Sequence, residues 1–175
     1  MLISYTLVSA FTHSGFKGNP AAVVFPDTET LQLSTLKSIA LNFNQPVTAF
    51  ITFLAFADRE EKNLEANARF ITGLGVEIEL CGHGSIAAAK AILEHPGFVG
   101  RNVERIDLKT NNGRSISVEV LQGGELQVTL PAAPAPSLLS EEATQQIKTI
   151  VDVAFGRHVN INCVYEGGKG FQHGA

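Results

Sequence analysis

Tryptophan is absent from the 175 residues, methionine occurs once, and there are only two cysteines, Cys81 and Cys163. Two cysteines cannot build the dense disulfide framework of a small secreted domain, and no Cys-x-x-Cys pair occurs. His13, His83, His95, His158 and His173 form no His-x-x-x-His pair, so no metal is expected. Charge is sparse too. Charged residues make up 17% of the chain, the formal net charge is −4, and no lysine or arginine cluster occurs. That removes the electrostatic footprint of a nucleic-acid or anionic-membrane binder. Phosphate-loop and dinucleotide glycine fingerprints are missing, and no cofactor is expected. The longest apolar stretch, Thr48 to Ala57, is too short to span a bilayer. With no charged-then-apolar leader at the start, the expected setting is the reducing cytoplasm.

What is present is 45% hydrophobic sequence, enough to fill the core of one packed domain. Its periodicity reads as an α/β mixture. Ile3 to Phe11 and Ala21 to Phe25 read as strands around a Gly18-Asn19-Pro20 turn. Leu33, Leu36, Ala40 and Phe43 form a helical stripe opened by Ser34, and Thr48 to Phe56 returns as strand. Leu64 to Thr72 and Val76 to Leu80 follow as strands, and alanine-rich Ser85 to Glu94 reads as a helix stopped by Pro96-Gly97. Ile106 to Thr110 and Ser115 to Leu121 face each other across Asn111-Asn112-Gly113, a hairpin signal, and Gly123-Gly124 turns the chain into Leu126 to Leu130. The proline-rich segment 131–136 reads as a linker. Beyond it, Ser140 caps a helix with Glu141 and Glu142 in its first turn, running to Phe155 before Gly156. Val159 to Tyr165 reads as a further strand, and the glycine-rich last residues as a poorly ordered tail.

The junction Cys81-Gly82-His83-Gly84 is the most informative place in this pattern. A strand, a glycine-rich turn and a helix start meet there, so exposed N–H groups and the helix dipole could receive a carboxylate. This junction resembles the Cys-Gly-His segment of the phenazine-biosynthesis PhzF-like isomerase family. Val8-Ser9-Ala10-Phe11-Thr12, with Phe16 to Val24 after it, is similar to that family's first strand, Gly-Asn-Pro turn and second strand. The resemblance covers roughly residues 3 to 135. It implies strands curled around a buried helix, with 85–94 the candidate: a barrel-like half of the two-half fold shared with diaminopimelate epimerase. It also implies cofactor-free proton transfer on a small carboxylate-bearing molecule, held by Gly18, Asn19, Gly82, His83 and Gly84.

The family pattern breaks at one position. Relatives carry Leu-Ser-Glu-Thr after a helix ending in Asn, and their Glu transfers the proton while their Ser helps to hold substrate. Here the segment is Asn44-Gln45-Pro46-Val47-Thr48, so Val47 stands in the place of that Glu and Pro46 in the place of the Ser. An isopropyl group cannot carry a proton, and losing a positioned acid/base commonly costs about 10²–10⁴-fold.

Other residues keep two readings. His83 either contacts a ligand or bonds the backbone of its own turn. Cys81 corresponds by pattern to a catalytic cysteine of diaminopimelate epimerase, yet it also reads as a small buried hydrophobe at a strand end. Gly18-Asn19 serves equally as a plain β-turn. Glu77 is the nearest carboxylate in sequence that could replace the missing Glu, although its place between Val76 and Ile78 reads as outward and solvated.

Three functions follow: an impaired isomerase, an inactive binding module, or a Cys81-dependent epimerase completed by a second subunit. Residues 1–135 are assigned to the family's amino-terminal half, and 136–175 to the start of a truncated second half. A strand edge at 159–165 left without a partner would recruit another chain, so a homodimer is expected.

Overall fold

In the segment from Asn63 to Thr72, Leu64, Ala66, Ala68 and Phe70 are buried on one side while the residues between them are mostly polar. Alternation with period two sends successive side chains to opposite faces of a sheet, and this strand lies in the middle of one. The structure, a computed structural model, describes residues 4–14, 17–26, 31–53, 61–130, 139–161 and 164. It divides into two compact units, Met1–Leu130 and Pro131–Ala175.

The first unit contains β1 (Tyr5–Ala10), β2 (Asn19–Val24), α1 (Leu33–Phe43), β3 (Val47–Phe53), β4 (Asn63–Thr72), β5 (Glu77–Ile78), α2 (Gly82–Glu94), β6 (Arg105–Thr110), β7 (Ser115–Val120) and β8 (Leu126–Thr129). They form one mixed sheet of eight strands in the order β1-β2-β3-β4-β6-β7-β8, with β5 paired to β4. The pairs β2–β3 and β4–β6 are parallel and the rest antiparallel. The sheet is curled. Helix α2 packs against β1 and β2 at one end of the strand order and against β7 and β8 at the other, which a flat sheet does not allow.

The residues of α2 explain how it fits. Ala87, Ala88 and Ala89 are completely buried, with Gly84, Ser85, Ala91 and Ile92 beside them, so the helix is slim enough to lie inside the curl. Around it, Val23, Val47, Ala49, Ile51, Phe70, Ile106, Leu108, Ile116 and Val118 complete the inner core. Helix α1 covers part of the outer face, where Leu36 and Ala40 meet Val24, Phe50 and Ile71.

Several boundaries differ from the sequence expectations. Ser34 does not open α1; its N-cap is Gln32, which makes no side-chain cap bond. The expected strand from Val76 to Leu80 shrinks to Glu77–Ile78, which pair with Ile71 and Phe70 of β4. Helix α2 begins at Gly82 rather than Ser85. The Asn111-Asn112-Gly113 hairpin forms as expected, with Gly113 at φ 77°. The linker 131–136 and the end of the strand expected over 48–56 lie outside the described residues.

The second unit contains α3 (Glu141–Phe155), capped by Ser140 at its start and by Gly156 at φ 63° at its end. The strand expected over 159–165 is not formed by its described residues, 159–161 and 164. A strand needs a ladder, and the backbone link found there is one bond from the Leu139 N–H to the Val164 carbonyl.

Candidate functional site

One end of the half-barrel gathers the sequence's candidate residues. In the parallel pair β2–β3, Ala21 lies beside Val47, so Asn19 and Val47 open neighbouring strands at the same end. In the antiparallel pair β3–β4, Val47 faces Thr72, where β4 finishes. Asn19 shares its strand face with Ala21 and Val23, and Val47 shares its face with Ala49 and Ile51; both faces point toward α2.

Two glycines let the connections close. Gly18 has φ 90°, and a Cβ on it would sit 2.2 Å from the Ala10 carbonyl oxygen. Only glycine fits there. A Cβ on Gly73 would come within 2.6 Å of the Gln45 carbonyl oxygen, in the loop that delivers Pro46 and Val47.

Cys81 is the N-cap of α2, with φ −144° and ψ 99°, and Gly82, His83 and Gly84 are its first three helical residues. The segment read as a turn is therefore the first turn of the helix. The cap's carbonyl accepts twice, from the Ser85 N–H at 2.9 Å and from the Ser85 hydroxyl at 2.8 Å. Since the intrahelical ladder starts at Ser85, the amides of Gly82 and His83 lie outside it, at the positive end of the helix dipole. A Cβ on Gly84 would lie 2.9 Å from the Cys81 Sγ and 3.1 Å from the Phe70 ring. This glycine is required by close approach rather than by φ.

Cys81 is buried and His83 half-buried. Their side chains meet, with Sγ 3.5 Å from Nδ1. The other ring nitrogen, Nε2, is buried and has no hydrogen-bond partner among the described residues. Burial pushes the Cys81 thiol above its ordinary value, and the Gly84 amide exerts a smaller pull the other way. Burial likewise holds His83 below the ordinary imidazole value. Both environments favour neutral groups.

Val47 is completely buried in the inner cluster that includes Cys81 and Phe70. Its neighbour Thr48 is also fully buried, and its Oγ1 has no partner among the described residues, a feature that the apolar pattern of the strand concealed. Glu77 lies away from Val47, Cys81 and His83. Ile78 packs against the inner core, so Glu77 faces the other side of the sheet. There it accepts from Arg69 Nε at 2.7 Å and Nη2 at 2.9 Å, and from Asn111 at 3.2 Å. The Arg69 bonds hold its carboxyl below the usual carboxylate range. An outer cleft of about 280 Å³ is lined by Arg69, Glu77 and Asn111, and Val47, Cys81 and His83 take no part in it. The alternation of Arg69 with Ala68 and Phe70 places it on the outer face, but nothing in the sequence pairs it with Glu77.

A half-barrel of mixed strands curled around an alanine-rich helix, with its candidate site at that helix's start, defines a PhzF- and epimerase-like fold. The sequence agrees. A family model described as "Phenazine biosynthesis-like protein" matches residues 8–169, and the chain belongs to that family. It is 31% identical over 160 residues to the human phenazine biosynthesis-like domain-containing protein, covering 86% of this chain and 50% of that protein. The mouse phenazine biosynthesis-like domain-containing protein 1 is 32% identical over 127 residues, with 73% of this chain and 38% of that protein covered. The chain thus spans about half the length of these curated relatives or less. Among solved structures, a phenazine biosynthesis PhzC/PhzF protein from Clostridium difficile matches at a TM-score of 0.68 and 28% identity, over 95% of this chain and 55% of the other. A Pseudomonas aeruginosa protein described as a predicted epimerase matches at 0.62 and 17% identity, over 83% and 49%, a likeness of fold alone.

Among the described residues, no helix is long and apolar enough to cross a membrane. No group of three or more His, Cys, Asp or Glu that could hold a metal occurs among them either.

Proposed function

We propose that this chain binds a small carboxylate-bearing molecule at the start of α2 and is impaired in the cofactor-free proton transfer of its isomerase-like family. Val47 carries this reading. It stands where the resemblance implies a glutamate, and it is a wholly buried apolar side chain in the inner core. Glu77 offers no substitute, being paired with Arg69 on the opposite face. The binding half of the site is supported by the helix-start amides of Gly82 and His83, which lie outside the intrahelical ladder, by the buried Nε2 of His83, which has no partner among the described residues, and by the shared face of Asn19. Use of Cys81 as a base is disfavoured, because burial raises the thiol and a base must be a thiolate.

The test pairs two measurements on the intact chain. Titration with small carboxylates, followed by NMR, should shift the amides of Gly82, His83 and Gly84 first. Incubation of the same carboxylates with the protein in deuterium oxide should incorporate no deuterium above the protein-free rate. Incorporation at a rate typical of an enzyme would overturn the claim of impairment. Shifts confined to other regions would overturn the claim of binding.

A further inference from the structure

The contact between Cys81 and His83 joins two groups that each hold or lack a proton, so its direction determines which face the histidine presents. A neutral imidazole donates through one nitrogen and accepts through the other. Nδ1 lies 3.5 Å from Sγ, and Nε2 is buried with no partner among the described residues. A buried polar atom left unmade costs free energy, so the orphan nitrogen marks the side of the ring where a partner is missing.

We propose that Cys81 is a positioning residue: its S–H donates to Nδ1 of His83, which fixes the ring proton on Nε2 and makes that nitrogen a hydrogen-bond donor for an anionic ligand. The proposal rests on the ligand-binding reading of the α2 start given above. Three observations support it. Gly84 leaves room for the thiol to curl beneath the first helical turn, since a Cβ there would strike Sγ at 2.9 Å. The Gly84 backbone amide is a hydrogen-bond partner of the same sulfur, weaker in its effect on the thiol than burial. The sulfur is also packed in the inner cluster with Phe70 and Val47, so it cannot swing to another acceptor without opening the core. A buried thiol remains protonated and can therefore serve as a donor. This role differs from nucleophile or base: the sulfur never meets the ligand, and no bond is made or broken.

The experiment reads the ring directly. Long-range proton–nitrogen correlation spectra of uniformly labelled intact chain, at a pH above the ordinary imidazole value of about 6.5, report which nitrogen carries the hydrogen. The wild-type spectrum should show His83 protonated at Nε2. Cys81→Ala should shift the ring toward a mixture with the Nδ1–H form, and Cys81→Ser, which keeps a donor, should restore the wild-type pattern. A wild-type ring protonated at Nδ1 overturns the proposal even if neither variant folds. So does a Cys81→Ala ring with an unchanged tautomer. The outcome is separable from that of the binding reading: a Cys81-dependent tautomer without carboxylate-induced shifts at Gly82 to Gly84 upholds the positioning role and overturns the ligand.

Discussion

Helices α2 and α3 reverse the usual relation between local signals and burial. α3 has Ser140 accepting from the Ala143 N–H at 3.3 Å, Glu141 and Glu142 in its first turn and Gly156 as a left-handed cap. None of its residues is buried. α2 has no side-chain cap bond, no acidic residue in its first turn and glycines at two of its first three positions, yet seven of its residues are buried. Isolated helices of this length are marginal in water, and tertiary packing normally supplies most of their stability. α2 is therefore held by the sheet around it, which frees its first turn from the residues that make good helix starts. That freedom is what allows Cys81, Gly82, His83 and Gly84 to occupy the candidate site.

The largest effect should come from emptying the packing around α2. Ile92 is fully buried, and Ile92→Ala should cost about 2–5 kcal/mol, the range for large-to-small changes in cores. The matching change in α3, Ile150→Ala, removes a side chain that is 66% exposed and should stay within about 0.5 kcal/mol. Urea unfolding of both variants measures the contrast. Equal losses would mean that α3 gains support from packing as α2 does.

A second, smaller effect should appear where α2 departs from good helix chemistry. Gly84→Ala improves intrinsic helix propensity by about 1 kcal/mol, but the new methyl meets Sγ of Cys81 at 2.9 Å and the Phe70 ring at 3.1 Å. Overpacking of this kind costs about 1–3 kcal/mol. The net change should be destabilising by up to about 2 kcal/mol, read as a lower urea midpoint. A stabilised Gly84→Ala variant would show that the inner core gives way at this point and that the glycine is not there for close approach.

The sequence made the same two helices legible in different degrees. α3 was readable at both ends, because Ser140, the acidic first turn and Gly156 act within a few residues of where they stand. The start of α2 was misplaced by three residues, since Gly82 and Gly84 look like breakers until the sheet that packs on them is known. Curling was implied by resemblance and not by periodicity; alternation in β4 says which residues face inward but not that β1 and β8 both reach α2. The alternating Val159-Asn160-Ile161-Asn162 pattern suggested a strand, but pattern provides no ladder partner. At the site, the outward direction of Glu77 was legible from Val76 and Ile78. Its bidentate partner Arg69 was not, because the β4–β5 register that brings them together depends on how the Gly73–Gly75 turn closes.

The most local effect should be found at the start of α3, where local chemistry works alone. Ser140→Ala removes the oxygen that receives the Ala143 N–H and should cost the helix about 1 kcal/mol. Because no residue of α3 is fully buried, this loss should remain local and leave the global unfolding transition where it was. Amide hydrogen exchange in the intact chain separates the two levels. One kcal/mol corresponds to about a fivefold change in an opening equilibrium, so the Ala143 and Thr144 amides should exchange roughly fivefold faster while those of Ala88 to Ile92 in α2 stay unchanged. Faster exchange in both helices would tie the cap of α3 to the half-barrel. No change in either would mean that Glu141, Glu142 and Gly156 suffice to hold α3 without its N-cap, and the contrast between a locally specified helix and a packed one would then rest on its other end.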